Sequence, residues 1–427
     1  MTAHDGARGY TSFSYLDPER DDRTFELDDP TGRAPAHPVE LSPEQEARAE
    51  ALAERCVTIS LHDHLGLFPK NIDETPAYVR EGRMATPFDA LTESAWDAVF
   101  DNLMDGICRI HSHSGWQWSD VLHDLGMRLC DIAHQDVVVP ARTADDVLRA
   151  HAESRLAWIP ALEGAAMIEN ELDRIDLLYG FGVRMVGVTY SEANALGSGL
   201  KEPRDGGLTA FGRKAVERMN EVGMIIDCSH ASDRTTLDVV QTSAHPVVLS
   251  HIGARALWPS KRLAPDEVLV EVAGKGGVIG IEAAPHTTIT RERREHTIDS
   301  FMQHFEYVKG RVGIEHVAFG PDTLYGDHVG LHRVYAAGLS LDAATAAAAA
   351  AEGDDDASAP AGRASGADGA PADPADHPKV DYVRGLENPT EASHNILRWL
   401  VANGYSDDEI EKVMGGNILR VMRTVQA

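Results

Sequence analysis

The sequence predicts an α/β protein built as a (β/α)8 TIM-type barrel, and three observations carry that prediction. Short apolar runs alternate with helical stretches, which is the pattern of strand–helix units around a parallel sheet. Seven such runs are recognisable, close to the eight a barrel needs. Several end in a histidine or carboxylate, and ligands from so many strand ends converge only at the mouth of a closed barrel. An open doubly wound sheet is the competing architecture. It is weakened because no glycine-rich phosphate loop follows the first strand.

Taken in order, residues 1–42 are rich in Asp, Pro, Gly and Arg and read as an extended arm. The remainder, 43–427, reads as one (β/α)8 domain interrupted by an insertion at about 336–381. A helix is expected over 43–55. The first strand, 57–61, closes on His62-Asp63-His64. Side chains at i and i+2 of a strand share a side, so the two imidazoles point together and Asp63 points away. The next strand, 157–162, ends at Glu163, and another is expected over 183–188. A helix from Phe211 to Val222, opened by Thr209, leads into strand 223–228 and then Ser229-His230. A helix over 232–240 precedes strand 246–250, which leads to His251. Helix 265–275, strand 277–282 and helix 298–312 follow. Strand 315–320 leads through Pro321 to Asp322.

Composition changes over about 336–381. A nearly pure Ala run, Ala343 to Ala351, gives way to an Ala/Asp/Gly/Pro tract. This segment is expected to be a disordered, solvated insertion without a catalytic role. The tail from Thr390 to Val425 reads as two helices. Ser406 is placed to cap the second, with Glu409 as its capping-box partner. Gly415-Gly416-Asn417 reads as a tight turn or a helix break.

Composition narrows the function. A formal net charge of -29 argues against nucleic acid and anionic membrane surfaces as partners. Only eight of the 39 basic residues are Lys. Arg enrichment fits a GC-rich genome, which leaves the acidic excess to another cause; adaptation to high salt is one. Cys56, Cys108, Cys130 and Cys228 lack metal-type spacing and read as free thiols in a reducing compartment. The polar, acidic N-terminus lacks a signal-peptide core, and no apolar run reaches transmembrane length. A cytoplasmic location is the expectation.

The strand ends carry the chemistry. His62, His64 and Glu163 would hold one metal ion; Glu163, His230 and His251 would hold a second, with Glu163 bridging. A hydroxide bridging two such ions is a strong nucleophile at neutral pH. Asp322 is placed to take its proton and pass it to a leaving amine. Arg262 offers a planar fork for a substrate carboxylate. Each residue alone has a plainer reading: a packed histidine, a capping Glu163, an Asp322 that starts a turn. Five at successive strand ends make coincidence the poorer account. His111 and His113 form a second His-x-His without a clear strand before them and read as a loop lining the mouth. His123, His134, His286 and His328 have no supporting context.

These residues resemble the membrane (renal-type) dipeptidase family of zinc peptidases, within the amidohydrolase superfamily. The likeness runs over roughly 50–335 and 384–425. It rests on Leu162-Glu163-Gly164, Gly182-Val183-Arg184-Met185 to Thr189, and Gly207-Leu208-Thr209-Ala210-Phe211-Gly212 through to Ser229-His230. Further blocks are Ser250-His251 with Ala254-Arg255-Ala256, Arg262 before Pro265-Asp266-Glu267, and Gly320 with Asp322. Gly404-Tyr405-Ser406 and Gly415-Gly416-Asn417 with Arg420 match the tail.

The resemblance implies a barrel with two zinc ions, hydrolysis of dipeptides, and a homodimer. It assigns Glu163 as the bridge, His230 and His251 to one zinc, and the first-strand pair to the other. It gives Asp322 the proton and Arg262 the substrate's carboxylate. Two positions depart from the family. His64 replaces the usual Asp of His-x-Asp, which makes the site one unit more positive. Tyr190 stands where the family has a His that polarises the scissile carbonyl; either a hydrogen bond from its hydroxyl substitutes for that His, or the role is lost. The alternatives are a related binuclear hydrolase of a small amide, lactam, lactone or N-acyl amino acid, and a metal-stabilised scaffold.

Overall fold

The computed structural model describes residues 9–17, 20, 24–103, 116–285, 287–335 and 380–427. The expected insertion falls almost wholly on residues outside these, as do His111, His113, His286 and Cys108.

The core is one parallel sheet. Its strands are β1 (Ile59–Asp63), β2 (Ala98–Leu103), β3 (Val138–Pro140), β4 (Leu156–Leu162), β5 (Met185–Gly187), β6 (Ile225–Asp227), β7 (Val248–Ile252), β8 (Val278–Ile281) and β9 (Val317–Phe319). They run in the order β1-β2-β4-β5-β6-β7-β8-β9, with β3 as an extra strand on β4. The eight strands of that path curve into a nearly closed barrel. Just past β9 the ends are stitched together: Asp322 N donates to His62 O and His64 N donates to Thr323 O, both at 2.9 Å. Asp63 reinforces the seam, its Oδ1 accepting from Thr323 N (2.8 Å) and Oγ1 (2.7 Å).

The two faces of each strand bury different sets of side chains. Ile59, Leu61, Ala98, Phe100, Ile159, Ala161, Met185, Ile225 and Val248 fill the interior, at alternate positions as a barrel demands. Val99, Leu156, Trp158, Leu162 and Leu249 face the surrounding helices. Leu419, Met422 and Val425 join the interior cluster from the last helix, Asn417–Val425. That helix meets the starts of the strands: Asn417 Nδ2 donates to Val317 O (2.8 Å) and Arg420 Nη1 to Gly276 O (2.7 Å). The tail therefore closes the end opposite the strand termini that bear the polar residues.

Most expected elements form within two or three residues of their predicted bounds. Thr209 caps Ala210–Val222, and Ser406 caps Asp407–Glu411 in a capping box with Glu409. β1 runs two residues further than expected, so His62 lies inside the strand. Two strands, β2 and β3, have no counterpart in the sequence reading. The turn expected at Gly415-Gly416-Asn417 is also not there. Lys412–Gly416 forms a π-helical turn that runs directly into the last helix. Its glycine serves close approach, since a Cβ on Gly415 would lie 2.1 Å from Val57 O. Among the described residues no helix is long and apolar enough to cross a membrane.

Candidate metal centre

Six strand ends deliver charged or imidazole side chains to one buried pocket. β1 supplies His62 and His64, β4 Glu163, β6 His230, β7 His251, β8 Glu282 and β9 Asp322. All are at most 7% exposed. Asp63 points away from the pocket into the seam, because an irregularity in the β1–β2 pairing between Ser60 and Asp63 breaks the alternation that puts Ile59 and Leu61 inside. Its carboxyl is pushed up to about 7 by burial, and Ser60 and Thr323 hydrogen-bond to it.

The geometry centres on two carboxylate oxygens. Glu163 Oε1 lies 3.0 Å from His230 Nε2, 3.5 Å from His251 Nε2 and 3.8 Å from His62 Nε2. Asp322 Oδ1 lies 3.1 Å from His64 Nε2 and 3.3 Å from His62 Nε2. His62 and His64 bring their Nε2 atoms to 3.2 Å, and His230 and His251 to 3.0 Å. Four donors placed 2.0–2.1 Å around a tetrahedral ion stand about 3.3 Å apart. The observed spacings scatter around that value. Three sets bring one donor atom each within 4.8 Å of one another: His62/His64/Asp322, His62/Glu163/His251 and His251/Glu282/Asp322.

The other ring nitrogens face partners that fix the rings. His64 Nδ1 donates to Asn102 O (2.7 Å). His251 Nδ1 lies 2.7 Å from Ser250 Oγ, which in turn donates to Asp227 Oδ2 (2.7 Å). His230 Nδ1 lies 3.1 Å from Ser191 Oγ. Each partner leaves Nε2 aimed at the pocket, the usual arrangement around a metal-binding imidazole. Gly320 makes the packing possible, since a Cβ there would come 2.1 Å from Ser250 O and 3.1 Å from His62 Cβ. Two residues on, Asp322 adopts φ +58°, a left-handed conformation uncommon outside glycine.

Protonation favours cation binding at most of these groups. Burial holds His62 below the ordinary imidazole range, and His230 and His251 well below it, so all three are neutral donors. Burial presses Asp322 upward, but hydrogen bonds from His62 and His64 outweigh it and keep the carboxyl ionised. His64 differs. Burial opposes its charge, yet Asp322 and Glu163 outweigh burial and raise it to about 9. A proton on His64 then occupies the place of a cation, and a metal must displace it.

Tyr190 stacks on His230 with ring centroids 4.4 Å apart. Burial, then Glu163, push its hydroxyl well above the usual range, so it stays a donor. Arg262 reaches the same pocket. Its Nη1 donates to Ser229 O (3.1 Å) and its Nη2 to His251 O (3.2 Å), while Nη2 lies 2.6 Å from Glu282 Oε2. Burial pushes Glu282 up to about 8 despite Arg262. A cavity of about 240 Å³ opens beside His64, with Met84, Trp116, Met127 and Arg128 in its walls.

All eight residues singled out from the sequence thus line one pocket. Glu282, Asn102, Ser191 and the Ser250–Asp227 pair were missed. Glu282 carried the same signal as Glu163, an acid closing an apolar run. His123 lines the cavity and His328 is buried within the field of Asp322 and His64, while His134 stacks on Tyr15 away from the site.

A nearly closed parallel barrel with imidazoles and carboxylates gathered at its C-terminal mouth defines the class of metal-dependent hydrolase barrels. The chain belongs to the membrane dipeptidase family, peptidase family M19, whose model matches residues 48–334. A dipeptidase of Claviceps purpurea, tcpJ, is 27% identical over 305 residues, covering 71% of this chain and 59% of that protein. Dipeptidase 3 of Rattus norvegicus is 24% identical over 309 residues, covering 71% and 51%. This chain thus spans little more than half of those relatives. Among solved structures, an amidohydrolase from Pseudomonas aeruginosa superposes with a TM-score of 0.67 at 22% identity, over 88% of this chain and 99% of that one. A metallopeptidase from Rhodobacter sphaeroides, solved with a phosphinate mimic of the dipeptide L-Ala-D-Ala, gives 0.61 at 18% identity over 87% and 99%. These two likenesses establish the fold.

Proposed function

We propose that this protein is a zinc-dependent dipeptidase that hydrolyses the peptide bond of small dipeptide-like substrates. The observation that carries the reading is the gathering of His62, His230 and His251 around Glu163 Oε1, with His64 3.2 Å from His62 Nε2, at metal-type spacing, in a family of metallopeptidases. These five residues would hold two zinc ions. Bound there, zinc polarises a substrate carbonyl and makes water nucleophilic at neutral pH.

The chain's own residues supply the rest. Asp322, ionised and facing the same space, accepts the proton of the attacking water and returns it to the leaving amine nitrogen. Tyr190, held protonated, donates to the carbonyl oxygen as charge develops on it. Arg262 receives the far end of the substrate, and the cavity beside His64 takes a side chain. The scattered cysteines, of which Cys56, Cys130 and Cys228 are free thiols, support a reducing, cytoplasmic setting.

Metal analysis of the purified protein beside a dipeptide hydrolysis screen tests this reading. Two zinc ions per chain and dipeptide turnover are expected, and Glu163→Gln should lose both. Full activity of that variant with two ions bound would refute the assignment. The Arg262–Glu282 pair favours a second reading, in which a related amide or lactam without a free carboxylate is the substrate. The same screen separates the two once such compounds are included.

A further inference from the structure

We propose that the cavity beside His64 is the specificity pocket for the substrate's N-terminal residue, and that it selects a bulky, uncharged, apolar side chain. The inference rests on the dipeptidase reading above and narrows its substrate class. Placement comes first. The cavity is walled by His64, just past β1, and by Asn102 and Leu103 at the end of β2. Arg262 donates to Ser229 O, just past β6, and to His251 O in β7. In the strand order around the barrel, β1–β2 and β6–β7 stand on opposite sides of the mouth. A dipeptide with its carboxylate at Arg262 therefore spans the centre, and its N-terminal residue comes to lie against the cavity.

Size and chemistry decide what enters. An apolar cavity of about 150 Å³ is enough to hold benzene. This one measures about 240 Å³, so an aromatic side chain fits. Val79, Met84, Leu103, Trp116 and Met127 supply its apolar surface. Methionine side chains bend to fit different outlines, and their sulfur makes favourable contacts with aromatic rings. The charged residues of the lining balance: Arg80, Arg83 and Arg128 against Asp101, Asp120 and Asp124. Several are already engaged. Arg128 lies 3.7 Å from Asp101, whose oxygens accept from Leu65 N and Trp158 Nε1. Asp120 Oδ2 accepts from Gln117 N at 3.0 Å. Such a wall gives a charged side chain no net attraction to offset its loss of water. The wall also stands ready before a substrate arrives. Arg128, 4% exposed, donates to Thr86 Oγ1, and Thr86 N donates to Ser12 Oγ of the N-terminal arm at 3.1 Å. A pocket held in shape when empty loses little of its binding energy to ordering.

The test measures kcat/KM of the zinc-loaded protein for Phe-Ala, Leu-Ala, Ala-Ala, Asp-Ala, Lys-Ala and Ala-Phe, together with Kd for the phosphinate analogues of Phe-Ala and Ala-Ala. Phe-Ala and Leu-Ala should exceed Ala-Ala, Asp-Ala and Lys-Ala by about tenfold or more, and the Phe-Ala phosphinate should bind tighter by a similar factor. Ala-Phe should gain less than about threefold over Ala-Ala, because its ring lies on the Arg262 side. Met84→Trp and Met127→Trp each fill the cavity from a different segment of the chain. In either variant the ratio of Phe-Ala to Ala-Ala should fall by about tenfold or more at unchanged zinc content. Phosphinate binding with the expected preference but no turnover of any dipeptide would support the pocket while defeating the dipeptidase reading. Turnover with Phe-Ala within about threefold of Ala-Ala overturns the proposal and leaves that reading standing. So does a preference for Asp-Ala, Lys-Ala or Ala-Phe, or a Phe-Ala preference that survives in both variants.

Discussion

Ser250 shows how much of the centre depends on residues that would never touch a metal. Its hydroxyl links Asp227 to His251 and lies 3.5 Å from His62 Nδ1, so one small side chain orients imidazoles from two strands. Ser250→Ala should leave the fold intact and weaken zinc affinity by about 10–100-fold, read by competition with a chelator. Affinity equal to wild type would mean that His251 is oriented by packing alone. The five expected ligands and Asp322 were legible because each closes an apolar run, a signal that needs no tertiary knowledge. Asn102 was not. It acts through its backbone carbonyl, and nothing in a side chain advertises that role. His64 marks the family departure legible in sequence, and Glu282 adds a carboxylate to the same pocket, which no reading of β1 alone would suggest.

The elements show where local pattern fails. β2 escaped notice because Asp101 and Asn102 interrupt its apolar run. The fold makes Asp101 an asset: Oδ1 accepts from Leu65 N (2.9 Å) and Oδ2 from Trp158 Nε1 (2.7 Å), tying β1 and β4 to the strand between them. A buried carboxylate so well partnered is a tertiary fact. Gly415 is another, read from sequence as a turn residue when it is in fact a contact residue. Gly415→Ala should cost roughly 1–3 kcal/mol in chemical denaturation, because the clash is with the Val57 backbone rather than a movable side chain. His151, at the end of helix Ala144–Ala152, lies 2.8 Å from Asp97 Oδ1, just before β2. That hydrogen bond, opposed in part by burial, raises its pKa above the ordinary 6.5. A raised folded-state pKa stabilises fully below the unfolded value and loses that stabilisation as pH rises through the folded one. Denaturation midpoints should therefore fall across the range just above pH 6.5, and His151→Gln should flatten that part of the profile. An unchanged profile would assign the pH dependence elsewhere.

At the scale of the whole molecule, the acidic excess is the dominant sequence feature. Several carboxylates are tied into pairs between the first helix and the tail, as in Arg48 and Arg55 with Asp407 at 2.7 and 2.8 Å. Others remain on the surface, where they repel. If the charge reflects salt adaptation, the thermal midpoint should rise between low and molar salt, and maximal stability at low salt would end that account. The barrel itself was the most legible property of all, because its repeat of strand and helix recurs often enough to survive two missed strands.

The last helix, which floors the barrel, has a consequence for how the molecule comes into being. Leu419, Met422 and Val425 pack with Ile59 and Leu61, and nearly the whole chain lies between them. As the polypeptide emerges from a ribosome, the oily underside of the barrel stays open at least until Asn417–Val425 has been synthesised. Closure is thus a late event set by long-range contacts rather than by any local preference. Until that helix docks, the apolar side chains at the underside of the barrel face solvent.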